Sequence, residues 1–195
     1  MKILENLSWA FLTGLLLLGG LLFWAHGTGE GQTLDVAWFT AFLRTIHTWF
    51  GILWIGLLYY FNFVQIPTMP KVPAELKPGV TKFIAPAALF YFRWAALGTV
   101  LIGLLLAMHL GYMVEALTLQ RGFRLIGIGM WLGIIMMLNV WGIIWPNQKR
   151  ALGIVEADAD TKAKAGRTAM LASRTNFVLS LPMLYAMTTY QSLGD

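Results

Sequence analysis

Long stretches without a formal charge are the feature that most constrains what this chain can fold into. A helix needs ~20 apolar residues to cross the hydrocarbon core of a bilayer. Stretches of that length without charge are Asn6–Ala25, Thr45–Pro70, Leu125–Gln148 and Thr175–Gly194, and Ile84–Tyr112 carries one charge, Arg93. Because 58% of the residues are hydrophobic and 12% are charged, little remains for a soluble domain. The sequence therefore predicts an all-α integral membrane protein.

The predicted fold is a single transmembrane domain over 1–195, in which five transmembrane helices form a bundle. The spans are predicted at about 6–25, 41–65, 85–112, 124–146 and 172–191, from the ~20-residue requirement. Between the second and third spans, Pro67, Pro70, Pro73 and Pro78 predict an extended loop over Gln65–Ala85. Ala159–Ala172 is predicted to be a helical lead-in to the last span, because acidic residues precede basic ones there.

The basic residues alternate between the two sides of the predicted bundle. One side holds ten of them: Lys2, Lys71, Lys77, Lys82, Lys149, Arg150, Lys162, Lys164, Arg167 and Arg174. The other side holds Arg44, Arg121 and Arg124. The positive-inside rule then predicts a cytoplasmic N-terminus and a C-terminus outside. This topology accounts for the net charge of +5. The lipid bilayer is therefore the expected partner, and no nucleic acid is expected.

All three histidines fall in the predicted outer leaflet, on three different spans. His26 ends the first span, His47 lies near the start of the second, and His109 lies near the outer end of the third. Around His47, Gly51 at i+4 and Trp54 at i+7 share one helix face. A glycine one turn below a histidine leaves room for a flat macrocycle, on which an aromatic ring can pack.

A second surface of small residues is predicted on the outer half of the fourth span, where Gly127, Gly129 and Gly133 lie. Close helix packing is one interpretation, and a cofactor wall at the depth of His47 is the other. Imidazole is a common axial ligand of haem iron, with His or Met opposite. The chain has no cysteine, so covalent c-type attachment is excluded and haem b is the expected cofactor. The predicted metal ligands are His47 and His109; Met108, Met130, Met136 or a five-coordinate iron are the alternatives to His109.

A polar group is predicted near the cytoplasmic face of the spans. Its members are Asn62, Arg93, Asn139, Asn147, Gln148, Arg174 and Asn176. Arg93 either snorkels to the headgroups or helps to bind an anion, such as haem propionates or an acidic substrate. No Asp or Glu lies within a predicted span, which argues against a carboxylate proton relay.

Several motifs in this chain match one known family. They are Arg44-Thr-Ile-His47-Thr-Trp-Phe-Gly51-Ile-Leu-Trp54-Ile-Gly56, Phe92-Arg93-Trp94, Asn139-Val-Trp141-Gly-Ile-Ile-Trp145-Pro146-Asn147-Gln148 and Ser173-Arg174-Thr-Asn176. From Phe42 to Met187 the chain resembles the N-terminal membrane domain of bacterial cytochrome c-linked urate oxidases. The resemblance implies that the family's histidine is His47, its arginines Arg93 and Arg174, and its amides Asn139, Asn147 and Asn176. A fainter resemblance extends to the membrane-bound, haem-containing protoporphyrinogen oxidases.

The resemblance also implies a location in the bacterial inner membrane and a redox role. Urate-oxidising members carry a C-terminal cytochrome c domain with C-x-x-C-H, which this sequence of 195 residues does not contain. Electrons are therefore expected to pass to a separate cytochrome partner, and the substrate is left open. Two other functions also stay open at this point: a non-catalytic subunit of a larger respiratory or oxidase complex, and a small anion transporter.

Overall fold

The computed structural model describes residues 2–26 and 36–193, and no strand occurs in that part of the chain. Met1–Phe42 and Leu43–Asp195 form two compact units. The first unit holds helix α1, Leu7–His26, whose first turn is capped by Asn6 Oδ1, an acceptor for the Ser8 amide at 2.9 Å. The large apolar side chains of α1 are exposed, as is expected of a helix whose solvent is lipid.

The longer helices that follow are α2 (Val36–Lys71), α3 (Lys77–His109), α5 (Arg124–Ala151) and α6 (Ala159–Leu193), with the short α4 (Met113–Leu117) before α5. In the described part of the chain, four helices are long and apolar enough to cross a membrane: α1, α2, α3 and α5. The all-helical class is thus confirmed, and four of the predicted spans coincide with these four helices. The predicted fifth span lies in α6, which is helical but is not among those four.

The predicted extended loop over Gln65–Ala85 is wrong for most of its length. Helix α2 continues to Lys71 and α3 already begins at Lys77, so that only Val72–Leu76 separates them. Proline normally breaks a helix, because it lacks an N–H and clashes with the carbonyl four residues earlier. In this chain Pro67, Pro70 and Pro78 lie within helical turns, and Pro73 lies between the two helices.

A wider turn precedes three of the prolines that lie within helices. The π-helical turns Tyr60–Gln65, Val80–Ile84 and Val140–Ile144 each end two residues before a proline, Pro67, Pro86 and Pro146 respectively. A π turn shifts the hydrogen-bond register by one residue and thereby frees the carbonyl that the proline ring would strike. The α-helix then resumes with the proline in its first turn, where an N–H is not needed.

Helices α5 and α6 run antiparallel along most of their length. At one end a Cβ on Gly166 would lie 3.7 Å from Ala151 Cβ, and at the other a Cβ on Gly129 would lie 3.1 Å from Ala186 Cβ. The side chain of Asp158 caps α6 by accepting the Thr161 amide at 2.8 Å. The predicted helix over Ala159–Ala172 is confirmed, and it continues without a break into the last predicted span.

The core of the second unit has two parts. Trp54, Leu58, Phe92, Met136 and Val140 are almost fully buried where α2, α3 and α5 meet. A smaller cluster joins α3, α4 and α5 and contains Ala107, Ala116, Ile126 and Met130. The end of this unit that carries the smaller cluster is called the Tyr112 end below, and the opposite end, where α5 finishes, is called the Asn147 end.

Candidate functional site

A cavity of about 460 Å³ lies in the second unit, bordered by α2, α3, α5 and α6. Its walls are mainly apolar, and its volume falls within the ~300–1,000 Å³ that is usual for ligand and cofactor sites. The lining includes Arg44, His47, Thr48, Gly51, Trp54, Gly56, Thr99, Gly103, Tyr112, Met130, Gly133, Met183, Met187 and Thr188. Three of the predicted site residues, His47, Gly51 and Trp54, therefore share one cavity.

The ring of His47 is held by the backbone of α3. Its Nδ1 lies 2.9 Å from the carbonyl oxygen of Thr99. A carbonyl can only accept, so Nδ1 carries the proton, and in a neutral ring Nε2 keeps its lone pair. No described residue forms a hydrogen bond with Nε2. This is the arrangement in which imidazole serves as a metal ligand, with the second nitrogen fixed by a backbone carbonyl.

Gly103 makes this arrangement possible. A Cβ at position 103 would lie 2.7 Å from His47 Cε1 and 2.9 Å from Nδ1, closer than real contacts allow. The carbonyl of Thr99 lies one helical turn before Gly103. A carbonyl oxygen has two lone pairs, so it can accept the His47 ring N–H in addition to the hydrogen bond of its own helix. The His47 ring thus occupies the place of the side chain that Gly103 lacks.

Glycine keeps the cavity open at three further positions. A Cβ on Gly56 or Gly133 would meet nothing within 4 Å, and one on Gly51 would meet only Thr99 Cγ2, at 3.9 Å. The glycines of α5 therefore serve different purposes. Gly133 faces the cavity, whereas Gly129 packs on α6 and a Cβ on Gly127 would overlap the Ala116 carbonyl. The packing interpretation therefore holds for Gly127 and Gly129, and the cofactor-wall interpretation stays a prediction for Gly133.

Trp54 contributes an unpaired donor to the cavity wall. Its side chain is 1% exposed, and its Nε1–H has no acceptor among the described residues. A buried indole N–H normally finds a partner, because an unsatisfied buried donor costs about 1–3 kcal/mol.

Of the predicted second metal ligands, Met130 is the one that lines the cavity, and it is buried. His109 is half-buried at the end of α3 and is not among the lining residues. Met108 is exposed, and Met136 is buried in the main core. The side chain of His26 lies outside the described residues.

Three members of the predicted polar group at the other end, Asn62, Asn139 and Asn176, form bonds between helices. Asn139 Nδ2 donates to Asn176 Oδ1 at 2.7 Å and to the Ala172 carbonyl at 2.9 Å. Asn176, which is fully buried, donates to the Met136 carbonyl at 2.9 Å. Asn62 Nδ2 donates to Ser173 Oγ at 3.0 Å and so links α2 to α6.

These amides join α2, α5 and α6 rather than lining a cavity. Their N–H groups are used between helices, while the Oδ1 atoms of Asn62 and Asn139 have no donor among the described residues. Asn147 donates within its own helix, to the Ile143 carbonyl. The geometry of Asn62, Asn139 and Asn176 therefore indicates helix packing.

The two arginines predicted to bind a cofactor lie apart from the cavity lining. The guanidinium carbon of Arg93 lies 4.0 Å from the centroid of the Trp145 ring and 5.2 Å from that of Phe90. This is cation–π geometry, and one Arg93 nitrogen (Nη1) is buried without a hydrogen-bond partner in the described part of the chain. Arg174 is exposed.

Sequence reasoning missed four contributors to the site: the Thr99 carbonyl, Gly103, Arg44 as a lining residue and Tyr112. Arg44 could have been predicted from the sequence, because it lies three residues before His47 and so on the same helix face. The Thr99 carbonyl could not have been predicted, since it belongs to the backbone.

The chain matches one family model. Residues 112–191, which form α4, α5 and nearly all of α6, match the family described as urate oxidase N-terminal. The resemblance predicted from the sequence is confirmed by this match, which includes Asn139 and Arg174 and does not reach His47. Searches of curated proteins and of solved structures gave no match.

Proposed function

We propose that this chain, whose residues 112–191 match the urate oxidase N-terminal family, is a haem b-binding membrane redox protein. The observation that carries the proposal is the position of His47, whose Nδ1 is fixed on the Thr99 carbonyl beside an apolar cavity of about 460 Å³. His47 Nε2 is the proposed axial ligand. A haem b bound there would supply one-electron chemistry at its iron.

The cavity residues fit such a group. Gly51, Gly56 and Gly133 leave flat space along two walls, and the apolar lining excludes water from an iron site. The Thr99 carbonyl keeps the ring of His47 in one orientation and raises the basicity of Nε2.

Met130 is the proposed second ligand, in place of the predicted His109, because it shares the cavity with His47. A thioether opposite an imidazole raises the reduction potential of haem iron. The partner that the family resemblance implies is a separate cytochrome.

We further propose that α6 is a fifth span, so that the protein crosses the bacterial inner membrane five times. Along α6, Ala172, Asn176 and Ala186 face Asn139, Met136 and Gly129 of α5 in turn. At ~1.5 Å per residue, Ala172–Ala186 covers about 21 Å alongside an apolar helix. Pairing with α5 therefore supports α6 where its own hydropathy does not.

The test is an absorption spectrum of the detergent-purified protein, expressed with haem available, air-oxidised and then dithionite-reduced. We expect a Soret band with b-type α and β bands in the wild type, and its loss or displacement in His47→Ala. Met130→Leu is expected to shift the reduced spectrum, and His109→Ala to leave it unchanged.

A colourless wild-type protein would contradict the proposal and would favour an accessory subunit without a cofactor. A spectrum that persists unaltered in His47→Ala would place any haem elsewhere.

A further inference from the structure

The cavity is polar at one end. Arg44, Thr48, Tyr112 and Thr188 line it there, whereas the rest of its wall is largely apolar apart from His47 and Thr99. Among the lining residues that the structure describes, Arg44 carries the one formal charge. Arg44 precedes His47 by three residues, which is a rise of ~4.5 Å along α2. A cation therefore lies almost one helical turn from the proposed iron ligand.

Tyr112 belongs to the same polar end. Its ring stacks on Phe123 with a centroid distance of 5.7 Å, and it lies 6.2 Å from the ring of Tyr190. Burial raises the pKa of Tyr112, Tyr190 raises it further, and the positive charge of Arg44 lowers it. The phenol is therefore protonated at neutral pH. It can donate a hydrogen bond, and it interacts electrostatically with the Arg44 guanidinium.

The opposite end of the second unit offers no comparable anion site on the cavity. Arg93 lies against Trp145 and is not a lining residue, and Arg174 is exposed. The amides near them hold helices together.

We infer that Arg44, assisted by Tyr112, binds the carboxylate groups of the cavity's ligand, so that the anionic edge of a bound porphyrin points to the Tyr112 end. The inference rests on the proposed haem site and concerns its orientation. A guanidinium binds a carboxylate through two parallel N–H donors, and a phenol adds a third. The cavity is thus built for a flat, apolar molecule with acidic groups at one edge.

The experiment compares haem with haem dimethyl ester, in which both carboxylates are blocked. Each is titrated into detergent-solubilised protein depleted of haem, and the dissociation constant is read from the Soret band. We expect wild type to bind the free acid more tightly than the ester. Because a hydrogen bond to a charged group contributes about 1.5–3 kcal/mol, the preference should be about 10- to 100-fold.

Arg44→Gln should remove the preference and leave binding of the ester unchanged, and Tyr112→Phe should reduce it. Arg121→Gln is the matched control, because Arg121 is an exposed arginine near the same end that does not line the cavity.

Two results would overturn the inference while leaving the haem site intact. Either Arg44→Gln keeps the full preference for the free acid, or Arg93→Gln abolishes it. If the wild type binds neither compound, the haem site and the orientation inferred from it are both overturned.

Discussion

His47 is positioned by two groups on α3 that carry no side-chain chemistry, the Thr99 carbonyl and the bare Cα of Gly103. An imidazole on a mobile side chain binds a metal in several orientations, whereas one fixed through Nδ1 presents Nε2 in one direction. Positioning by the backbone also keeps acidic residues out of the site. A ligand bound at His47 would therefore meet a neutral donor in a largely apolar cavity.

Substituting Gly103 tests this packing directly. In Gly103→Ala the new methyl group would lie 2.7 Å from His47 Cε1, so the ring must move away from the Thr99 carbonyl. We expect a loss or displacement of the Soret band and a destabilisation of about 1–3 kcal/mol, the usual range for an overpacked core. Both are measurable by absorption and by unfolding in mixed micelles.

Gly142→Ala is the control, because a Cβ there meets nothing within 4 Å and position 142 does not line the cavity. Equal effects of the two substitutions would mean that alanine disturbs the helices in general and that Gly103 has no special role.

Asn176 is the central residue of the amide network, since it accepts from Asn139 and donates to the Met136 carbonyl. Asn176→Ala removes both bonds between α5 and α6. Hydrogen bonds between membrane helices contribute about 0.6 kcal/mol on average and at most about 1.7, so we expect a loss of about 1–3 kcal/mol. The free energy of unfolding in mixed micelles is the measurement.

The exposed Val178→Ala, two residues along the same helix, should change stability by less than about 0.5 kcal/mol. If Asn176→Ala is equally mild and instead weakens anion binding, the amides form a ligand site and do not fasten helices.

Helix α6 starts with a charge-dependent cap. Asp158 accepts the Thr161 amide at 2.8 Å and the Thr161 hydroxyl at 2.7 Å, and these bonds lower its pKa below the ordinary 3.8. A carboxyl whose pKa is lower in the folded state stabilises the fold above its unfolded pKa. That contribution is lost as the pH falls below 3.8 and through the folded pKa.

We therefore expect the protection of amides at the start of α6, relative to their intrinsic exchange rates, to fall below about pH 4 in the wild type, where the ordinary Asp pKa lies. In Asp158→Ala this protection should be low at every pH, and Glu156→Ala, outside the helix, should behave as wild type. A wild-type profile that does not change between pH 3 and 6 would contradict the cap.

The sequence predicted the helical elements well and their ends less well. Length with no charge, or with one charge in α3, located α1, α2, α3 and α5, because a helix satisfies its own backbone hydrogen bonds in lipid. It failed between Gln65 and Ala85, where prolines normally stop a helix. The π turns that absorb them depend on a register shift, which residue types alone do not reveal.

For the site, too, the sequence predicted one part correctly and missed another. His47, Gly51 and Trp54 share a helix face, so spacing within one helix was enough to group them. Arg93 and His109 were assigned by depth alone, and depth does not say which way a side chain faces. Contacts between helices decide that, and those require the packed structure.

At the scale of the whole molecule, the orientation in the membrane is the main untested expectation. The chain has no cysteine, so single cysteines can be introduced without background. Gln120→Cys should react with an impermeant maleimide in intact cells. Val155→Cys should react only in inverted vesicles, because position 155 is on the predicted cytoplasmic side, which holds ten of the basic residues.

Asp195→Cys reports on the fifth span and should behave as Gln120→Cys does. If it reacts from the same side as Val155→Cys, α6 does not cross the membrane.

The pairing of α6 with α5 also bears on how the protein is made. The translocon selects segments by their own hydrophobicity, and α6 contains polar residues that penalise insertion on its own. Its asparagine and serine contacts lie on α5 and α2, which leave the ribosome earlier. The last helix should therefore enter the bilayer late, as the second arm of a hairpin whose first arm is already in place. Defects in α5 would then appear as failed biogenesis, with α6 left in the aqueous phase and exposed to quality-control proteases.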